Sequence, residues 1–247
     1  MINIRTDAEV ELIRDSGRLV AGALDLAGEL VRPGIETAEL DREIEEYIVG
    51  NGASPEFKGF HGYPAAICAS VNEEVVHGIP GARVLKEGDI IGVDVGVRKE
   101  GYVADGARTF SIGSIDEDTQ RLVRVTKRAL DRAISLVREG VHLSDISHAV
   151  QEVAEGAGFS IVRELAGHGV GTELHEPPEI PNYGDPGRGP KLLAGMVLAI
   201  EPMVNAGLPG VNTLADNWTV VTVDGKLSAH FEHTLAVTAR GADILTQ

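Results

Sequence analysis

Duplication constrains this chain most, because a sequence that repeats across its own length must fold into matching halves. Arg32, Gly34, Ile35, Leu40, Ile44, Gly50, Gly52 and Ser54 reappear 106 positions later as Arg138, Gly140, Val141, Ile146, Val150, Gly156, Gly158 and Ser160. At an offset of 107, Gly88-Asp89-Ile90-Ile91-Gly92-Val93-Asp94 lies over Gly195-Met196-Val197-Leu198-Ala199-Ile200-Glu201, acid on acid. Agreement across a helix, its glycine stop and a later strand is hard to obtain by chance. The pattern predicts two α/β halves, about 1–114 and 115–247, related by a pseudo-twofold axis. No linker rich in Pro, Gly or Ser separates them, so a single domain spanning 1–247 with one shared core is expected.

Local signals fill in the halves. Thr6-Asp7-Ala8-Glu9 reads as a capping box before a helix that Pro33-Gly34 ends. A second helix over 39–48 shows one apolar face, Leu40, Ile44, Tyr47 and Ile48, and stops at Gly50-Asn51-Gly52. Strands are expected at 65–71, 89–97 and 102–112, then helices from about 117 to 138 and 144 to 155, then short apolar runs.

Length and charge exclude several classes. At 247 residues the chain needs no staple, and its single Cys68 precludes an internal disulfide. The start lacks a secretory pattern and Asp25 breaks the longest N-terminal apolar run, so a soluble, cytoplasmic protein without membrane association is expected. A net charge of −16 repels phosphate backbones, which disfavours nucleic-acid binding.

Chemistry enters with Asp94, which interrupts the apolar strand Ile90-Ile91-Gly92-Val93-Asp94-Val95-Gly96-Val97. Burying a carboxylate among β-branched residues costs several kcal/mol, of order ~5, unless a cation compensates. If Lys99-Glu100 is the hairpin loop, Arg98 faces Gly101 and Asp94 stands directly opposite Asp105. Two anions so placed repel each other, and a cation between them resolves it. Gly92 and Gly96 are then expected to leave open space beside Asp94. The second half adds Glu201 and Glu232, each an isolated acid in a strand-like run. Four carboxylates carry −4, which two divalent ions neutralise. On its residues alone, His168 within Gly167-His168-Gly169-Val170-Gly171 stands equally as a fifth, softer ligand or as an ordinary histidine beside close-packed backbone.

Six motifs then carry a resemblance that covers essentially the whole chain. Gly62-Tyr63-Pro64, Ser70-Val71-Asn72-Glu73, Val76-His77-Gly78-Ile79-Pro80, Gly167-His168-Gly169-Val170-Gly171, His175-Glu176-Pro177 and Ile200-Glu201-Pro202-Met203 occur in the order found in type I methionine aminopeptidases, which the chain resembles. The resemblance implies an α+β pita-bread fold, duplicated α/β halves around a curved antiparallel sheet. It implies Asp94, Asp105, His168, Glu201 and Glu232 as ligands of two divalent ions, manganese, iron, cobalt or zinc. It also implies removal of an initiator methionine before a small second residue, by attack of a hydroxide that bridges the ions. Glu201 is implied as acid and base, His175 as the donor to the carbonyl oxygen and His77 on the leaving-group side. Phe60, His61, Tyr63, Cys68, Leu174 and Trp218 are implied around the methionine side chain. The partner implied is a peptide or nascent-chain N-terminus, with possible ribosome proximity, met by a monomer.

Ordinary readings compete with these. By residues alone His77 and His175 are as readily loop histidines, His61, His142, His148, His230 and His233 are better read as structural, and Trp218 as core. Cys68 lies in an apolar run where cysteine behaves as a small hydrophobe rather than a nucleophile. Two rival functions are weighed. A proline-directed relative of the same fold usually carries a long N-terminal domain, whereas the first helix here starts near Thr6. A metal-free peptide-binding module has typically lost ligands, and all five are present.

Overall fold

The computed structural model describes residues 2–247. Helix α1 (Asp7–Leu30) begins with the expected reciprocal cap: Thr6 Oγ1 accepts from the Glu9 amide, and Glu9 Oε2 accepts from the Thr6 amide at 2.8 Å. Two amides that a helix start leaves unpaired are thereby satisfied. Helix α2 is Thr37–Gly50, two residues longer at each end than its apolar face suggested. Ile13, Val20 and Leu24 of α1 are at most 1% exposed. Burial of each contributes about 1.5–3 kcal/mol as an upper estimate. They pack across the hairpin of strands Ile90–Lys99 and Tyr102–Ser111.

The second half brings helices α3 (Glu117–Leu136) and α4 (Leu143–Gly156), which pack on each other, with α3 also against the strand Ser228–His230. Both ends of α4 lie 106 residues beyond those of α2. The loops ahead of α2 and α4 carry matching backbone bonds, Gly34 to the Leu85 carbonyl with Leu85 to that of Ile35, and Gly140 to that of Leu192 with Leu192 to that of Val141. Whereas Gly50 and Gly156 end helices, three of the repeated glycine pairs fall where the chain turns left-handed: Gly34 and Gly140 (φ 93° and 85°), Gly52 and Gly158 (72° and 84°), and Gly88 and Gly195 (92° and 88°). A side chain there would be strained, which explains why the glycines mark the repeat.

All ladders are antiparallel. The hairpin joins Ile67–Val71 and Ser54–Pro55 in a four-stranded sheet. A five-stranded sheet runs in the order Ala242–Ile244, His233–Val237, Val197–Ile200, Ala166–Gly169, Glu176–Pro181. Backbone bonds between Ala107 and Glu232, 2.9 Å from the Glu232 amide, stitch the two sheets together. Apolar side chains gather into two principal clusters, and members cross: Val197, Ala236 and Leu245 lie in the first, Ile90 in the second.

The hairpin register differs from the expected one. Lys99 pairs with Tyr102, so the loop is Glu100-Gly101, both with positive φ (50° and 84°). A tight two-residue turn of this hand demands such values at both central positions, and glycine meets the demand best in the second. Asp105 therefore faces Gly96, and Asp94 faces Ala107. The two carboxylates keep one face of the sheet but stand diagonally rather than opposite. The space beside Asp94 is also not open on the Gly96 side, because a Cβ there would lie 2.5 Å from Phe57 Cε1. The glycine admits an aromatic ring.

Candidate metal centre

Each of the five predicted ligands sits in or beside a strand. Asp94 and Asp105 come from the hairpin, and His168 from Ala166–Gly169. Glu201 follows Val197–Ile200, and Glu232 precedes His233–Val237, so both end or begin strands rather than lying inside them. Gly167 lets the His168 strand close in, since a Cβ there would stand 2.5 Å from the Ala199 carbonyl oxygen. Thr234 locks the halves at the site: its hydroxyl lies 2.8 Å from the Asp105 carbonyl and 3.1 Å from Asp105 Oδ1, and accepts from the Asp105 amide.

Protonation states show what the cluster is built for. His168 Nδ1 donates to the Gly169 carbonyl at 2.9 Å, and burial lowers the ring's pKa to about 4. Nε2 is then an unprotonated lone pair at neutral pH. It points at Asp105 Oδ2, 3.5 Å away, and Glu201 Oε1, 3.4 Å away. A lone pair facing two ionised carboxylates is repulsive, so these contacts are not ion pairs; a cation or a carboxyl proton among them makes them attractive. Asp105, His168 and Glu232 each offer a donor atom within 4.8 Å of the others. Asp94 Oδ1 and Glu232 Oε1 are buried without a hydrogen-bond partner, the condition of oxygens meant for a cation. The set, four carboxylates and one neutral imidazole, fits a divalent metal.

Without ions the same groups are strained. Burial, then the Asp105 charge, pushes Asp94, Glu201 and Glu232 well above the usual carboxylate range, and burial pushes Asp105 up to about 6. Raised folded values mean that the metal-free protein holds protons the unfolded chain releases above about pH 4. Its stability therefore falls as pH rises through that value and through 6. Metal ions displace those protons and remove the slope. We expect the unfolding midpoint of chelated protein to drop between about pH 5 and 7.5, and that of metal-supplemented protein to hold. A chelated protein whose midpoint climbs over that interval would contradict the clustered arrangement.

One cavity of about 100 Å³ collects all five groups together with His77 and His175, and with Phe60, Tyr63, Cys68, Leu174 and Trp218. The Tyr63 and Trp218 rings meet edge-on at 5.1 Å, and His175 stands edge-on to His168 at 4.4 Å. His61 is not brought in: it is exposed, and its ring packs against Phe60 outside the lining. Cys68 pairs with Asp94 in the ladder, and burial followed by the Asp94 charge pushes its thiol well up, which suits an inert wall. Two residues escaped the sequence reading. Phe57 lines the cavity, and its only signal is Gly96, whose missing side chain makes room for the ring. His230, read as structural, is buried with Nε2 3.8 Å from Glu201 Oε2. A second groove of about 530 Å³ shares His77, His168, His175 and Glu201 with the first and runs out past Val76, Leu165 and Met203.

The model of metallopeptidase family M24 matches residues 11–239 of this chain. The chain belongs to metallopeptidase family M24. It is 53% identical to methionine aminopeptidase 1 of Bacillus subtilis, with 100% of each chain covered. It matches the crystal structure of methionine aminopeptidase from Thermotoga maritima with a TM-score of 0.99 and 48% identity over the whole of both chains. Prolidase from Pyrococcus furiosus matches with a TM-score of 0.79 at 24% identity, which shows the fold alone, and this chain covers only 65% of that one. This M24 peptidase thus has the pita-bread fold, depends on divalent metal, and takes peptides as substrates. Among its described residues no helix is long and apolar enough to cross a membrane.

Proposed function

We propose that this M24 peptidase removes the N-terminal methionine from peptides and nascent chains with a small second residue. One observation carries the reading: a carboxylate-and-imidazole cluster shares one cavity with the side chains of Phe57, Phe60, Tyr63, Cys68, Leu174 and Trp218, with a second groove leading away from the same histidines. A thioether suits a wall of Phe60, Tyr63, Leu174 and Trp218 with Phe57 and Cys68, and the remaining peptide leaves along the groove.

Asp94, Asp105, His168, Glu201 and Glu232 would hold two divalent ions, the number that neutralises four carboxylates; manganese, iron, cobalt and zinc all suit the donors. When bound, the ions polarise the scissile carbonyl and acidify water toward neutral pH. Glu201 takes the proton of the attacking water and passes it to the departing amine, a role suited to a carboxylate whose burial raises its proton affinity. His175, held below the ordinary histidine value mainly by desolvation, is neutral and donates N–H to the oxygen that gains charge. His77, lowered to about 4 by burial, lines both cavities and meets the peptide nitrogen.

The reading includes one catalytic domain, 1–247, with pseudo-symmetric halves about 1–114 and 115–247. It also includes a cytoplasmic monomer working close to the ribosome. Supplied with divalent ion, the protein is expected to cleave Met-Ala-Ser and leave Ala-Pro-Ala intact, and a chelator should stop it. Preference for Ala-Pro-Ala would transfer the chain to the proline-directed peptidases.

A further inference from the structure

We propose that Arg5 is a positioning residue for His175, acting through Glu176; this rests on the reading of His175 as the donor to the substrate carbonyl. The His175 ring makes no side-chain hydrogen bond among the described residues, and the residue is exposed. Its placement therefore comes from the loop that carries it. That loop is pinned at both ends. The Gly171 carbonyl accepts from the Val103 amide at 2.7 Å, on the strand that bears Asp105. At the other end Glu176 folds its carboxylate back under the loop, where Oε1 accepts from the amides of Thr172 (2.9 Å) and Glu173 (3.1 Å) and from the Thr172 hydroxyl (3.1 Å).

Arg5 holds that carboxylate from below. Its Nη2 lies 2.5 and 2.6 Å from the two Glu176 oxygens, and Asn3 Nδ2 adds a bond of 2.6 Å to Oε2. The Arg5 backbone is fixed in turn, its amide donating to the Gly195 carbonyl at 2.7 Å. Gly171 makes room, since a Cβ there would collide with the guanidinium. The Arg5 side chain is 9% exposed and its Nε has no partner. A buried arginine with an unsatisfied N–H is a costly way to add stability. What the arrangement does secure is the path from Gly171 to Glu176, and with it a His175 ring resting 4.4 Å from His168 and 5.3 Å from Phe60. A misplaced donor loses the developing charge it must meet.

The test is a double-mutant cycle on metal-loaded protein with a Met-Ala-Ser peptide. Arg5→Met is expected to lower kcat roughly 10- to 100-fold with KM changed less than about 3-fold. Metal content should be retained, and Arg5→Lys should recover part of the loss. In a His175→Ala background Arg5→Met is expected to cost nothing further, because the residue it positions is already gone. The same loss in both backgrounds would show a general structural role and overturn the proposal, as would full turnover by Arg5→Met. If Arg5→Met does not fold, Glu176→Gln and Arg5→Lys take its place in the cycle, with the same two outcomes. Wild-type turnover by His175→Ala overturns the underlying role of His175 instead, and is distinguishable because that single variant alone reveals it.

Discussion

Glu201→Gln is expected to cut kcat by roughly 10³-fold or more in a protein that still folds, since general acid–base transfer typically contributes 10²- to 10⁴-fold. Glutamine keeps the volume and one oxygen near His168 Nε2, 3.4 Å away in the native chain. It cannot take a proton from water, hand one to an amine, or supply negative charge to the ions. Burial and the charges of Asp105 and Asp94 raise the proton affinity of Glu201, as a group that gains and loses a proton in each turnover requires. Initial rates measured across pH, beside metal analysis of the same sample, separate lost proton transfer from lost metal. A Glu201→Gln enzyme within about ten-fold of the native rate would remove Glu201 from the chemistry.

Asp105→Ala is expected to abolish both metal loading and turnover. Asp105 is 3% exposed and central: its Oδ2 faces His168, Thr234 holds its Oδ1 and backbone, and it belongs to the tightest donor group, with His168 and Glu232. Loss of the fold is not the expected reason for failure. The Asp105 charge is itself one of the influences raising Asp94, Glu201 and Glu232, so its removal relieves repulsion in the metal-free protein. A folded, inactive and metal-poor variant is the predicted combination. Activity retained with one divalent ion per chain would contradict the two-ion role.

Much of the site was legible because the burial of charge is so costly. Asp94 in an apolar strand, and Glu201 and Glu232 in similar runs, stood out against their neighbours without any knowledge of distance. The duplicated framework was legible for a different reason: most of its marker glycines, such as Gly34 and Gly140, occupy left-handed turns where other residues are strained. The hairpin register was not legible, since alternation fixes the face of a side chain but not its partner across the ladder. The difference turned on whether Lys99 or Gly101 closed the loop, and only positive φ at Glu100 and Gly101 decided it. Phe57 was missed because its neighbouring strand, Ser54–Pro55, is too short to show a period. His230 reads as structural in the sequence, because its approach to Glu201 depends on a contact between distant segments.

The central claim, that five side chains drawn from both halves converge on a pair of cations, is tested most directly by calorimetric titration of a divalent ion into the chelated chain, with Asp105→Ala alongside. Two ions bound per native chain, with proton release, and none bound tightly by the variant is the predicted result. A native chain that takes up one ion or none, or a variant that binds as the native chain does, would contradict it.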